Sequence, residues 1–190
     1  MERKDFIKKA CFAGACFCGF NHFIVANNDP SPVQDINRQL NQNWLSTLLS
    51  NLDLDLDEEV LRKIVKKTSI VHYNNLNLNS VLADYIGDLD KFIVFLEHSW
   101  GWRIEYDNTT KVLIADENKD HCVCPILEQD RGLNSAVICY CSEGFAEKMF
   151  SVVTGGPVTA KVISSIRRGD KSCKYEILIS KQHHKEQIIL

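Results

Sequence analysis

The reactive side chains of this sequence are concentrated in two short motifs. Cys122-Val123-Cys124-Pro125 and Cys139-Tyr140-Cys141-Ser142 are C-x-C pairs, and a further thiol, Cys173, follows them. In an extended strand residues i and i+2 share a face, so each pair would turn both sulfurs to one side. If the two segments are neighbours, four sulfurs converge. That set suits zinc, which takes up to four thiolates at about 2.3 Å; iron is the weaker alternative. Same-face Cα atoms in a regular strand lie about 6.6 Å apart, near the limit for two thiolates on one tetrahedral ion. At least one pair should therefore lie on a bend. Pro125 makes the first pair the better choice, because proline cannot donate to a central ladder. His121 is adjacent and can replace a sulfur. The candidate metal ligands are thus Cys122, Cys124, Cys139, Cys141, Cys173 and His121.

Two other readings of the same thiols stay open. Disulfides would be favoured outside the cytoplasm, although five cysteines leave one unpaired. Small, buried, unreactive thiols are the bland alternative. A nucleophilic cysteine would need a base and a group to orient it. His121 and Glu128 are near in sequence, but no motif places them in those roles, so no catalytic residue is assigned.

The remaining three of the eight cysteines, Cys11, Cys16 and Cys18, lie in a different kind of segment. Residues 1–26 run from a short basic start (Arg3, Lys4, Lys8, Lys9) through small and apolar residues to Ala26, the order of an export signal. Arg3-Lys4-Asp5-Phe6 resembles a twin-arginine signal with lysine in the second place. Cleavage after Ala26, or lipidation at Cys16 with peripheral membrane attachment, is expected. The protein would then work in the periplasm or cell envelope. If the segment is instead a packed first helix, the location is cytoplasmic. Residues 27–190 are expected to form a single domain.

The elements that must position the thiols follow from periodicity. Val33, Ile36, Leu40, Trp44 and Leu48 recur at helical spacing over Pro32–Leu52 and are expected to pack on a core. A second helix, EEVLRKIVKK, has N-cap candidates at Asp55 and Asp57. A third opens at Asn79-Ser80 and runs through Phe92 and Phe95, with Gly87 as a break. Alternation then sets in. Trp102, Ile104 and Tyr106 against Arg103 and Glu105, with a turn at Asp107-Asn108, predict a hairpin over 102–115. Residues 135–141 read as a strand. Ser142 caps a helix ending at Gly155-Gly156, a strand runs from Pro157 to Ile166, and Cys173–Ile179 returns after the Arg167–Asp170 turn. Trp100 and Trp102 can line a pocket, but aromatic packing is their expected role. Helices first, then strands with one embedded helix, predict an α+β fold: N-terminal helices packed on a mainly antiparallel sheet, with one helix before the C-terminal hairpin.

Composition narrows the function. The chain has 190 residues, 45% hydrophobic and 25% charged, a globular balance. The net charge of -3 argues against nucleic acid as a partner, since phosphate binders carry a basic face.

The run from Cys139 to Ile179, CYCSEGFAEKMFSVVTGGPVTAKVISSIRRGDKSCKYEILI, resembles the end of the 4-vinyl-reductase type domain, a hydrocarbon- or small-molecule-binding domain. The shared features are a cysteine before a glycine-led helix (Cys139 or Cys141, then Gly144), a strand, Gly169-Asp170, and Cys173 with its strand. The resemblance implies a metal held by cysteines and a glutamate. The positions that would supply a glutamate and a cysteine on the strand before the turn are Val162 and Ser165 here, so only the first cysteine and Cys173 carry over. A group of uncharacterised bacterial proteins is similar over nearly the whole chain, through Trp44, Asn51-Leu52-Asp53, Leu56-Asp57-Glu58-Glu59, the two C-x-C motifs and Arg168 to Cys173. That group often has a cysteine near the end of the second helix, where this chain reads Thr68-Ser69-Ile70-Val71-His72.

These features imply an exported module binding a small apolar molecule or a metal ion, possible as a homodimer. The alternative is a hydrolase of a small heterocycle, similar to aminothiazoline-carboxylate hydrolases, using a metal-bound water or a thiolate.

Overall fold

The structure is a computed structural model and describes residues 32–127 and 136–180, with the side chains of 32–35 left aside. The export-signal and lipidation expectations for residues 1–26, Glu128 and residue 135 lie outside the described residues. By internal packing the chain divides into Met1–Asp35 and Ile36–Leu190.

The described elements run in the order α1 (Pro32–Asp55), α2 (Glu58–Asn75), α3 (Leu78–Leu82), α4 (Leu89–Phe95), β1 (Arg103–Asp107), β2 (Val112–Asp116), α5 (Cys139–Thr154), β3 (Val158–Ser164) and β4 (Lys174–Ile179). The four strands form one antiparallel sheet in the order β1-β2-β4-β3. The fold is α+β, with helices preceding the sheet and one helix before the C-terminal strands.

The predicted β1–β2 hairpin forms with Arg103 opposite Asp116. Its turn is fastened by Asp107, whose Oδ1 accepts the amide of Thr109 at 2.8 Å and whose carbonyl accepts that of Lys111 at 2.8 Å. The third helix is broken near Gly87, as its sequence predicts, into α3, a short 3-10 turn at Ala83–Tyr85, and α4, which Asp88 caps by accepting the amide of Lys91 at 3.0 Å. A π-helical turn, Leu96–Trp100, leads to the sheet.

Helix α5 is the organising element. Its interior residues Phe145, Ala146, Met149, Phe150 and Val153 pack against the inward row of the sheet (Leu113, Ala115, Val158, Ala160, Val162, Tyr175, Ile177 and Ile179) in one core. Its first turn, with Leu61 and Val65 of α2 and Leu49 of α1, builds a second. Helix α2 crosses α5 at close range. A Cβ on Gly144 would lie 2.2 Å from the carbonyl oxygen of Lys66 and 2.6 Å from Ser69 Oγ. Only glycine lets the two backbones approach this far. The helix stops at Gly155, which takes a left-handed φ of 69° and donates its amide to Ser151.

Three expectations are corrected. Residues 136–141 are not a strand: a 3-10 turn at Ala136–Ile138 runs straight into α5, which starts at Cys139 and not after Ser142. The buried positions there, Val137, Ile138, Tyr140, Cys141, Glu143, Gly144, Phe145 and Ala146, come in consecutive runs that suit a helix start packed on more than one side and not the alternation of a strand. Second, three residues of the apolar stripe of α1 do not pack. Ile36, Leu40 and Trp44 are 63%, 63% and 65% exposed, and the helix instead turns Gln42, Ser46 and Leu49 inward. Third, the cap candidate Asp57 precedes α2 without a side-chain cap bond.

Candidate functional site

The site forms where α5 begins. Helix α5 presents Cys139, Cys141, Ser142, Phe145 and Ala146; the irregular segment 122–126 crosses above them; Val162 and Ser165 come from the end of β3, and Cys173 and Tyr175 from the start of β4. Trp100 and Trp102, carried there by the π-helical turn, and His72 and Leu76 from the end of α2 complete the wall, with Glu117 and Lys119 beyond β2. Together they enclose a cavity of about 390 Å³, within the usual range for small-molecule sites.

Its floor is dry. Cys141, Ala146, Val162, Ser165 and Tyr175 are buried. The exposed wall residues, Leu76, Val123 and Pro125, with half-exposed Lys119, mark the mouth. Trp100 and Trp102 meet edge to face at 5.5 Å between ring centroids, and Trp102 stacks on Tyr175 at 6.2 Å. The tryptophans thus both pack and line a cavity, the role their sequence context makes secondary.

All five thiols of the two motifs and Cys173 reach this cavity, and Cys124, Cys139, Cys141 and Cys173 are free. The route differs from the strand geometry expected. Cys122 and Cys124 lie in irregular backbone, while Cys139 and Cys141 sit in the first turn of a helix, where residues two apart point in nearly opposite directions. Cys139 Sγ is 3.0 Å from Ser165 Oγ. His121 does not join them: its ring is 68% exposed and its Nδ1 lies 2.8 Å from Asp120 Oδ1. Among the described residues, no three or more of His, Cys, Asp and Glu are disposed to hold a metal ion.

Burial sets the chemistry of these thiols. It pushes Cys141 and Cys173 up to about 11 and raises Cys124 and Cys139 as well. Thiols so placed are protonated at neutral pH and are poor nucleophiles. Desolvation likewise lowers His72, which stacks on Phe145 at 4.6 Å and is neutral. It raises Glu117, which accepts the Tyr175 hydroxyl at 2.6 Å. Tyr175 is itself raised well above the usual phenol by burial. The cavity therefore presents aromatic rings, aliphatic groups and neutral thiols, with polar groups mostly engaged by one another.

His72, Glu117, Lys119, Ser165 and Tyr175 were not legible as site residues in the sequence. The signal for His72 is its place one turn beyond the buried positions Leu61, Val65 and Ser69. For Tyr175 it is the inward phase of a strand that begins next to Cys173.

The sequence matches the family of unknown function DUF6144 over residues 21–184, and the chain belongs to that family. No curated protein matches it at a significant level. Among solved structures it is similar to a trafficking protein particle complex subunit 3 from Naegleria fowleri covalently bound to palmitic acid, at 12% identity and a TM-score of 0.43, covering 77% of this chain and 97% of that one. It is also similar to the phenol-responsive sensory domain of the transcription activator PoxR, at 12% identity and a TM-score of 0.40, covering 71% and 72%. A third likeness is to an H-NOX domain from Shewanella oneidensis, at 9% identity and a TM-score of 0.35, covering 94% and 90%.

Proposed function

We propose that this DUF6144 protein is a non-catalytic small-molecule-binding module whose ligand is largely apolar and occupies the cavity at the start of α5. One observation carries the reading: walls from α2, α5, the sheet and the 122–126 segment enclose about 390 Å³ whose floor is buried and apolar. A well-formed apolar cavity with few polar groups is what small ligands select. Burying apolar ligand surface there contributes about 25 cal/mol per Å². The thiols fit this role as soft, neutral wall atoms, since burial holds Cys124, Cys139, Cys141 and Cys173 in the thiol form. The same protonation argues against a thiolate hydrolase. The likeness to the 4-vinyl-reductase type domain, a small-molecule-binding domain, points the same way and rests on the sequence run from Cys139 to Ile179.

The test is to titrate the purified full chain with an uncharged dye that fluoresces in apolar surroundings, alongside mass spectrometry of an organic extract. Binding near one equivalent should be lost in Cys139→Trp, which fills the cavity from a half-buried position, while circular dichroism stays unchanged. Cys139→Phe gives a smaller filler if the first variant does not fold. Dye binding that survives both substitutions in folded protein would overturn the reading.

A further inference from the structure

The cavity has an apolar floor but not an apolar mouth. Lys119 is the one lysine or arginine in its described wall. It forms none of the ion pairs found among the described residues. Its position is held at the aromatic side of the opening: Lys119 Nζ lies 3.3 Å from where a Cβ on Gly101 would stand, between Trp100 and Trp102. The absence of a side chain at 101 leaves the ammonium its room. The one acid in the same wall, Glu117, has its carboxylate hydrogen-bonded by the Tyr175 hydroxyl and feels Lys119 only through space, without an ion pair.

We infer that the ligand is an acidic amphiphile, a monocarboxylate with an aliphatic tail, whose carboxylate rests on Lys119 at the mouth while the tail fills the apolar chamber. This rests on the binding-module reading and specifies its ligand. The tail displaces water from Phe145, Ala146 and Val162 on the floor. The carboxylate makes a charge-assisted bond to an ammonium that forms no ion pair among the described residues, in a half-buried setting where such bonds exceed their value in water. An uncharged ligand of the same length would gain only the first contribution.

The experiment compares decanoate with decan-1-ol by calorimetry on the full chain near neutral pH, in wild type, Lys119→Met and Lys119→Arg. Decanoate should bind wild type at least tenfold more tightly than the alcohol. Lys119→Met should remove that preference while leaving the affinity for decanol within twofold, and Lys119→Arg should restore most of it. Equal affinities for acid and alcohol in wild type, or a loss in Lys119→Met that is the same for both, overturns the inference and leaves the binding module standing. Binding of the neutral dye without either decyl probe also overturns it. If dye, decanoate and decanol all fail to bind, the binding-module reading itself falls.

Discussion

Glu143 Oε1 accepts the backbone amide of Val162 at 2.9 Å, so a buried helix carboxylate closes the free edge of the sheet. Strand β3 is an edge, and one turn further along α5 Glu147 Oε1 takes the amide of Ala160 at 3.0 Å. Edge amides left open invite pairing with another chain, and here two glutamates one turn apart take up those of Ala160 and Val162. The same carboxylates face α2, with Arg62 Nε 3.4 Å from Glu143 Oε2 and Lys66 Nζ 2.5 Å from Glu147 Oε1. Glu143→Ala is expected to cost about 2–3 kcal/mol, because it leaves a buried amide without an acceptor. Glu143→Gln keeps an acceptor oxygen and should cost about 1 kcal/mol or less. Urea denaturation of both variants gives the comparison; equal losses would mean that charge and not the edge amide is what matters.

The crossing of α2 and α5 depends on a single missing methyl group. A Cβ at 144 would meet the Lys66 carbonyl oxygen at 2.2 Å, which is backbone and cannot swing aside. Gly144→Ala must therefore push the helices apart, at an expected cost of about 1–3 kcal/mol or more. That outweighs the gain of about 1 kcal/mol that alanine brings to a helix interior. A rise in the melting temperature of Gly144→Ala would contradict the close approach.

The fold was legible wherever period and punctuation agreed. The β1–β2 hairpin, the break near Gly87 and the end of α5 at Gly155 follow from alternation and glycine placement in the sequence. The clustering of Cys122, Cys124, Cys139, Cys141 and Cys173 was legible as well, although not its geometry, because residues 136–141 fit both a strand and a helix until the partners of Tyr140 and Cys141 are known. The other half of the cavity wall was not. His72, Glu117, Lys119 and Tyr175 belong to three stretches of chain, and no local pattern records that the ends of α2 and β2 meet the start of β4. The glutamates of α5 were hidden for the same reason, since a buried Glu143 reads in sequence like any first-turn acid.

His72 should leave a mark on the pH dependence of stability. Burial lowers its pKa below the ordinary 6.5. The folded chain therefore binds fewer protons at this site than the unfolded chain between the two values, and stability rises with pH across that window. The contribution is complete above about pH 6.5 and is lost as the pH falls through the folded-state pKa. His72→Phe preserves a ring against Phe145 and removes the titration. Melting temperatures should show the wild type losing more stability than His72→Phe between about pH 7 and about pH 5. Parallel curves would mean that the imidazole is not desolvated.

The outward stripe of α1 gives the sharpest test of the corrected packing. A helix with apolar residues on more than one face can dock by either, and periodicity in Ile36, Leu40 and Trp44 alone cannot choose. The choice falls to what the rest of the chain offers. Leu61 and Val65 of α2 with Val137 and Ile138 form a cluster that receives Leu49, with Leu45 and Leu52 at its margin. The two faces should differ accordingly. Leu49→Ala removes a side chain that is only 5% exposed, and is expected to cost about 2–3 kcal/mol through lost burial and the cavity left behind. Leu40→Gln and Trp44→Gln change residues that already face solvent, and each should stay within about 0.5 kcal/mol of wild type. Denaturant midpoints in the full chain measure all three. A loss at Trp44 as large as that at Leu49 would show that the stripe is covered after all and that the amphipathic reading of α1 had chosen the right face.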